Sequence, residues 1–176
     1  MITEDRSPAA DMAVEWTPST GSDHYPLVSD WSDDTYCSYN AEDTVRDLFN
    51  FENFTIPEEA KDILVLIYIR GKSTNPATQM GGSLRLWEGD TDYTTYDLWP
   101  YPWSTDWNTS YVDWALNPST ELAWTPGQIN GTEAPAFAQF GYGCQNEAAS
   151  TIYVSEVYLE IRYTIQGKPH GYVFIL

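Results

Sequence analysis

The chain has 176 residues, 42% of them hydrophobic and 15% aromatic, with 26 acidic against 8 basic side chains and a formal net charge of -18. A chain of this length makes one domain that buries about 70% of the surface its unfolded form exposes, so it needs no staple to fold. So acidic a surface repels phosphate backbones and anionic lipid, which disfavours nucleic-acid and membrane partners, and no apolar run is long enough to cross a bilayer.

Residues 1–11, MITEDRSPAAD, are polar and carry acid where a secretory leader needs a basic start and an apolar middle. They are expected as an arm, ordered only where something holds it, ahead of a domain at 12–165. The leader has then been removed, or the protein leaves the cell without one. MAVEWT at 12–17 alternates and runs into Pro18-Ser-Thr-Gly21, a first strand closed by a turn. Residues 24–28 and 35–39 read as the next two strands, on either side of an acidic turn at 29–34. A loop at 40–45 leads to 46–49.

KDILVLIYIR at 61–70 is unbroken apolar from 63 to 69, so both faces of this central strand are expected to be covered. Residues 71–82 hold three glycines and a proline and read as a connection to a strand at 83–88. The stretch 93–124 carries Trp99, Trp103, Trp107, Trp114 and Trp124, interrupted by Pro100, Pro102 and Pro118. Proline is poorly tolerated inside a sheet, so 99–106 is expected to lie across the surface as a loop. Strands follow at 110–115, 121–125 and 136–144, with a turn at Thr125-Pro-Gly-Gln.

In 151–165, Val157, Leu159, Ile161, Tyr163 and Ile165 alternate with Glu156, Tyr158, Glu160, Arg162 and Thr164. Period two over this length predicts a long antiparallel strand with one buried face, and 61–70 is its natural partner. About ten short strands without an amphipathic helix predict an all-β fold, an antiparallel β-sandwich of jelly-roll type. Beyond it, 166–176 is a hinge followed by Tyr172, Val173, Phe174, Ile175 and Leu176. Five apolar residues at a terminus need cover, either in their own sheet or in a groove of a neighbouring copy.

Taken in order, AVEWT with HYPLV, DDTYCSY, DLFNF, Ile56-Pro57 with DILVLIYIRGK, SLRLW, ALNPSTELAWTPGQING, QFGYG and IYVSEVYLEIRYT resemble a family of β-sandwich domains. These domains are found in hypothetical and structural proteins of phages and environmental microbes. The resemblance spans 12–165 and implies a shell, fibre or attachment domain, with no catalytic residues to carry over. The apolar tail departs from that pattern and resembles the spare strand of donor-strand filament subunits. The chain is therefore expected to be a non-enzymatic subunit that polymerises head to tail with other copies of itself into an extracellular filament or virion-surface fibre. Residues 172–176 are the first choice for the inserted strand and 12–17 the second. The alternative is a carbohydrate-binding or attachment module.

Asn53, Asn108 and Asn130 begin N-x-[ST] triplets in predicted loops, where glycans are accepted, whereas proline disables those at Asn75 and Asn117. Cys37 and Cys144 lie in predicted strands and read either as a bridge, worth ~4–5 kcal/mol by loop entropy, or as buried free thiols. The tryptophans serve a core or an interface, or else a sugar site, which would need two or three coplanar indoles in solvent. Asp30, Asp33 and Asp34, and Asp90 with Asp92, offer oxygens for Ca2+, but without a DxDxDG run they read as solvated turns and no other cofactor is implied. His24 and His170 read as surface residues, and no Gly-x-Ser-x-Gly marks a nucleophile.

Overall fold

A computed structural model describes residues 1–40, 44–74, 79–87, 92–95, 105–145 and 150–165. The fold is an antiparallel β-sandwich. Its first sheet holds β1 (Ile2–Arg6), β3 (Thr17–Pro18), β4 (Cys37–Tyr39), β6 (Ala60–Ser73), β9 (Asn108–Trp114) and β13 (Ile152–Ile165), in the order β3-β4-β13-β6-β9. The second holds β2 (Ala10–Ala13), β5 (Thr44–Asn50), β7 (Gln79–Trp87), β8 (Asp92–Thr95) and β12 (Ala136–Gln145), in the order β2-β5-β12-β7-β8. A short ribbon of β10 (Leu116–Asn117) and β11 (Leu122–Ala123) stands apart.

The two long alternating segments pair as expected, with Val157 opposite Ile69 and Ile161 opposite Val65. Their inward side chains, Val65, Ile67, Ile69, Val157, Leu159 and Ile161, share one core with Val45, Phe49, Phe140 and Tyr142 of the second sheet. Each of these large apolar side chains stabilises the fold by ~1.5–3 kcal/mol through burial. The second sheet is drawn tight at its centre. A Cβ on Gly141 would sit 1.9 Å from the Asp47 carbonyl oxygen, so the approach of β12 to β5 requires a glycine there.

Several expectations are corrected. Residues 1–11, expected as an arm ordered only where something holds it, are held by the domain: β1 pairs with residues 159–163 of β13, the Tyr163 hydroxyl donates to Glu4 Oε1 at 2.9 Å, and the Arg6 guanidinium lies 4.6 Å over the Phe54 ring. The strand read at 12–17 ends at Ala13, because the Glu15 and Trp16 N–H groups donate to Asp47 Oδ1 instead of to a neighbouring strand, and Trp16 turns into the core. Residues 24–28 form a 3-10 turn (Tyr25–Val28) that carries Pro26 at its second position and buries both Leu27 and Val28. The Asp11 carboxylate accepts from the His24 and Tyr25 N–H groups at its entry. Much of the connection read at 71–82 is strand, since β6 runs to Ser73 and β7 begins at Gln79. The strand read at 121–125 keeps only β11, and the turn after it is a one-turn helix, α1 (Pro126–Ile129), closed by a capping box of Thr125 and Gln128.

Candidate functional site

On the second side of β13, β4 covers residues 152–154 and β1 covers 159–163. The loop at 29–34 packs against the stretch between them. There Asp33 accepts from Ser155 Oγ at 2.8 Å and binds Arg70 of β6 in two-pronged fashion, at 2.8 Å from Nε and 2.6 Å from Nη2. Asp30 closes the same loop, accepting from the Ser32 N–H at 3.0 Å and from the Thr35 hydroxyl. Asp30 and Asp33 are thus committed to the loop and to Arg70 and do not converge on a cation. Asp90 and the Asp92 side chain lie outside the described residues.

Tied at both ends, the loop holds Trp31 at φ 59° with 65% of its surface exposed. A bulky residue in the left-handed region is strained by about 1–3 kcal/mol and persists only where its surroundings fix it. The indole lies on the Tyr158 ring (5.5 Å between centroids, 29°). From there the outer face of the first sheet carries a row of rings set by register, with Tyr158 opposite Tyr68 and Tyr68 opposite Tyr111. Tyr158 and Tyr68 stack at 4.6 Å and 6°, and Tyr111 follows at 5.5 Å and 41°. Tyr158 and Tyr68 cover one another's faces, and the row ends in two exposed rings, Trp31 at 65% and Tyr111 at 37%.

Polar groups flank the row. On one side Arg162 donates to Glu160 and, at 2.7 Å, to the Tyr68 hydroxyl. On the other stand Arg70, Asp33 and Glu156, in distinct electrostatic settings. The hydrogen bonds from Arg70 hold the Asp33 carboxyl below its ordinary range, whereas burial pushes Glu156 above it. Glu156 is 6% exposed and its Oε1 has no hydrogen-bond partner among the described residues. Burial likewise pushes the Tyr158 hydroxyl up to about 12, so it remains a donor. Beyond Arg70 lies a second row, in which Lys72 Nζ sits 4.4 Å over Trp107 and 5.2 Å over Tyr153, and Tyr36 meets Tyr153 edge-on. Tyr36, Lys72, Ser73, Thr74, Thr105 and Tyr153 line a cavity of about 470 Å3 there.

The platform of several coplanar indoles is not what the described residues show. Trp31 is exposed, Trp107 and Trp114 are half-buried, and Trp16 and Trp124 belong to the core. The Tyr158–Tyr68–Tyr111 row escaped the sequence reading because register across three strands decides it. The signal within reach was Trp31, a lone aromatic in an acidic turn.

A buried cluster competes for attention. His24, read from the sequence as a surface residue, is 4% exposed, because Asp47 gives its ring a partner: Nδ1 lies 2.7 Å from Asp47 Oδ2. The Tyr142 hydroxyl donates to the same oxygen at 2.9 Å, and Cys37 is alongside. Both oxygens of Asp47 already hold two partners each, and burial pushes the Cys37 thiol up to about 12. With both carboxylate oxygens engaged inside the core, the cluster holds the fold together. Cys37 is a buried free thiol, and the Cys144 side chain lies outside the described residues.

Among the triplet asparagines, Asn53 is exposed in the loop before β6. Asn108 is the first residue of β9 rather than part of a loop. Asn130 caps α1, and its amide binds the Ile56 backbone twice, accepting from N–H at 2.8 Å and donating to the carbonyl at 2.9 Å. The tail with Tyr172, Val173, Phe174, Ile175 and Leu176, and His170 in its hinge, lie outside the described residues.

No protein-family model matches the chain, and no curated protein sequence is similar to it. Solved structures similar in fold include a CBM35 module from Cellvibrio japonicus Abf62, at 11% identity and a TM-score of 0.46, over 94% of this chain and 100% of that one. A family 30 carbohydrate-binding module of the cellulosomal cellulase Cel9D-Cel44B of Clostridium thermocellum matches at 12% and 0.46, over 96% and 100%. The CBM22-2 xylan-binding domain from Paenibacillus barcinonensis Xyn10C matches at 12% and 0.40, over 89% and 98%. Likenesses this distant do not say what the present chain binds.

Proposed function

We propose that this chain is a saccharide-binding domain whose ligand lies on the outer face of the first sheet, with one sugar ring stacked on Trp31. The observation that carries this reading is Trp31 itself, an exposed indole held in strained backbone, braced by Tyr158 and set on the same face as a buried acceptor without a donor, Glu156 Oε1. A sugar offers both things such a face lacks: a C–H surface for the indole and hydroxyl donors for the carboxylate. Arg70, Arg162 and the tyrosine hydroxyls supply donors for the remaining sugar oxygens. With a net charge of -18 the domain favours neutral polysaccharides over uronate or sulfate polymers.

Affinity electrophoresis of the full chain through gels containing xylan, mixed-linkage glucan, mannan or pectate tests the reading. At least one neutral polymer is expected to retard the chain, and Trp31→Ala to lower the affinity about tenfold or more at unchanged thermal stability. Equal retardation of wild type and variant would remove Trp31 from the site. Polymerisation by strand donation has no supporting observation among the described residues; in the segment at 12–17, Ala13 pairs with Leu48 and Trp16 is buried, while Met12 and Val14 are exposed.

A further inference from the structure

At one end of the second sheet, away from the aromatic face, the end of β5, the loop with Asn53, the end of α1 and the start of β12 enclose a cavity of about 280 Å3. Among the described residues its polar lining side chains are the carboxamides of Asn50, Asn53, Asn130 and Gln139, with Ala136, Phe137 and Ala138 as apolar floor, and none is charged in a chain where 19% of residues are charged.

The register of β12 slips between Phe137 and Gln139. Such bulges re-aim a side chain, and here Gln139 lines the cavity beside Phe137, which also packs in the core. Gln139 is 6% exposed; its Nε2 donates to Asn50 Oδ1 at a long 3.4 Å, and its Oε1 has no hydrogen-bond partner among the described residues. A buried acceptor without a donor destabilises a fold by about 1–3 kcal/mol, so its presence in a cavity wall calls for a ligand that donates. Asn130 is not available for that role, because both ends of its amide hold the Ile56 backbone.

We infer that this cavity is a second sugar site, independent of the aromatic face, which takes a single neutral sugar residue through a vicinal diol. A carboxamide sets an acceptor beside a donor, and two adjacent hydroxyls match it, one donating to Gln139 Oε1 and the other accepting from Gln139 Nε2. Asn50 and Asn53 reach the next hydroxyls, and the Ala136 and Ala138 methyls meet the ring's C–H face. The volume suits one residue rather than a chain, so the ligand is a free monosaccharide or the end of a polymer.

The test is side-chain amide NMR of the full chain, titrated with methyl glycosides of glucose, galactose, mannose and xylose and, in separate samples, with short oligosaccharides of each. At least one probe is expected to shift the Gln139 and Asn50 amide signals saturably. Equal affinity for glycoside and oligosaccharide marks a monosaccharide site, and tighter binding of the oligosaccharide a chain end. Gln139→Leu is expected to weaken that response about tenfold or more without lowering thermal stability, because it removes the unpartnered oxygen. Gln139→Glu keeps the shape without the amide hydrogens, should weaken binding similarly, and carries the test where the leucine variant does not fold. Trp31→Ala should leave the response unchanged, which separates this site from the aromatic face. Absence of a saturable shift with every probe, or full response in both Gln139 variants, overturns the inference.

Discussion

Asp47 shows how a single carboxylate organises this interior. It fixes the chain reversal at Glu15 and Trp16, holds His24 beside the 3-10 turn and satisfies the Tyr142 hydroxyl, all without solvent. Asp47→Ala would strand two backbone donors, a phenol and an imidazole, and is expected to destabilise the fold by ~3–5 kcal/mol in urea unfolding. The His24 partner adds a pH dependence. Burial pushes its pKa down, but the hydrogen bond and charge of Asp47 outweigh burial and leave it above the ordinary 6.5. The folded chain therefore holds the proton more tightly than the unfolded one. That part of the stability is complete below about 6.5 and is lost as the pH rises through the higher folded value. Urea midpoints should fall over that window in the wild type and stay flat in His24→Asn; equal slopes would show that another group titrates there.

The strands divide into those the sequence announces and those it conceals. β6 and β13 were legible because period-two alternation and an isoleucine-rich run leave no other way to bury their apolar atoms. β1 was not, since Thr3, Glu4, Asp5 and Arg6 read as a solvated arm and only the free edge of β13 makes them a strand. The 3-10 turn was missed because Leu27 and Val28 are both buried, which a strand with one wet face does not allow. For the candidate site, Tyr158 was legible as an outward residue, while its stacking on Tyr68 depends on pairing between distant segments. The Asn130 triplet illustrates the same limit. As sequence it is a glycan acceptor; in the fold its amide acts as a clamp between α1 and the loop at residue 56. Asn130→Ala should lower stability by about 1–3 kcal/mol. Expression in a glycosylating host followed by peptide mass mapping should find sugar at Asn53 and none at Asn130; an occupied Asn130 in a folded product would contradict the clamp.

The molecule as a whole is a sandwich that keeps its apolar atoms between two sheets and places aromatic rings, paired charges and an unpartnered carboxylate oxygen together on one outer face. A purely structural sheet face gains nothing from a strained, exposed tryptophan, whereas a ligand-binding face does. The net charge of -18 narrows the ligand further, because any anionic polymer would approach against the field of the entire domain. The most direct measurement is a two-dimensional NMR titration of the full chain with an oligosaccharide cut from the neutral polymer that retards it. The account predicts saturable shifts of the Trp31 indole N–H and of the backbone amides of Glu156, Tyr158 and Tyr68. Saturable binding that leaves all four unmoved would contradict it.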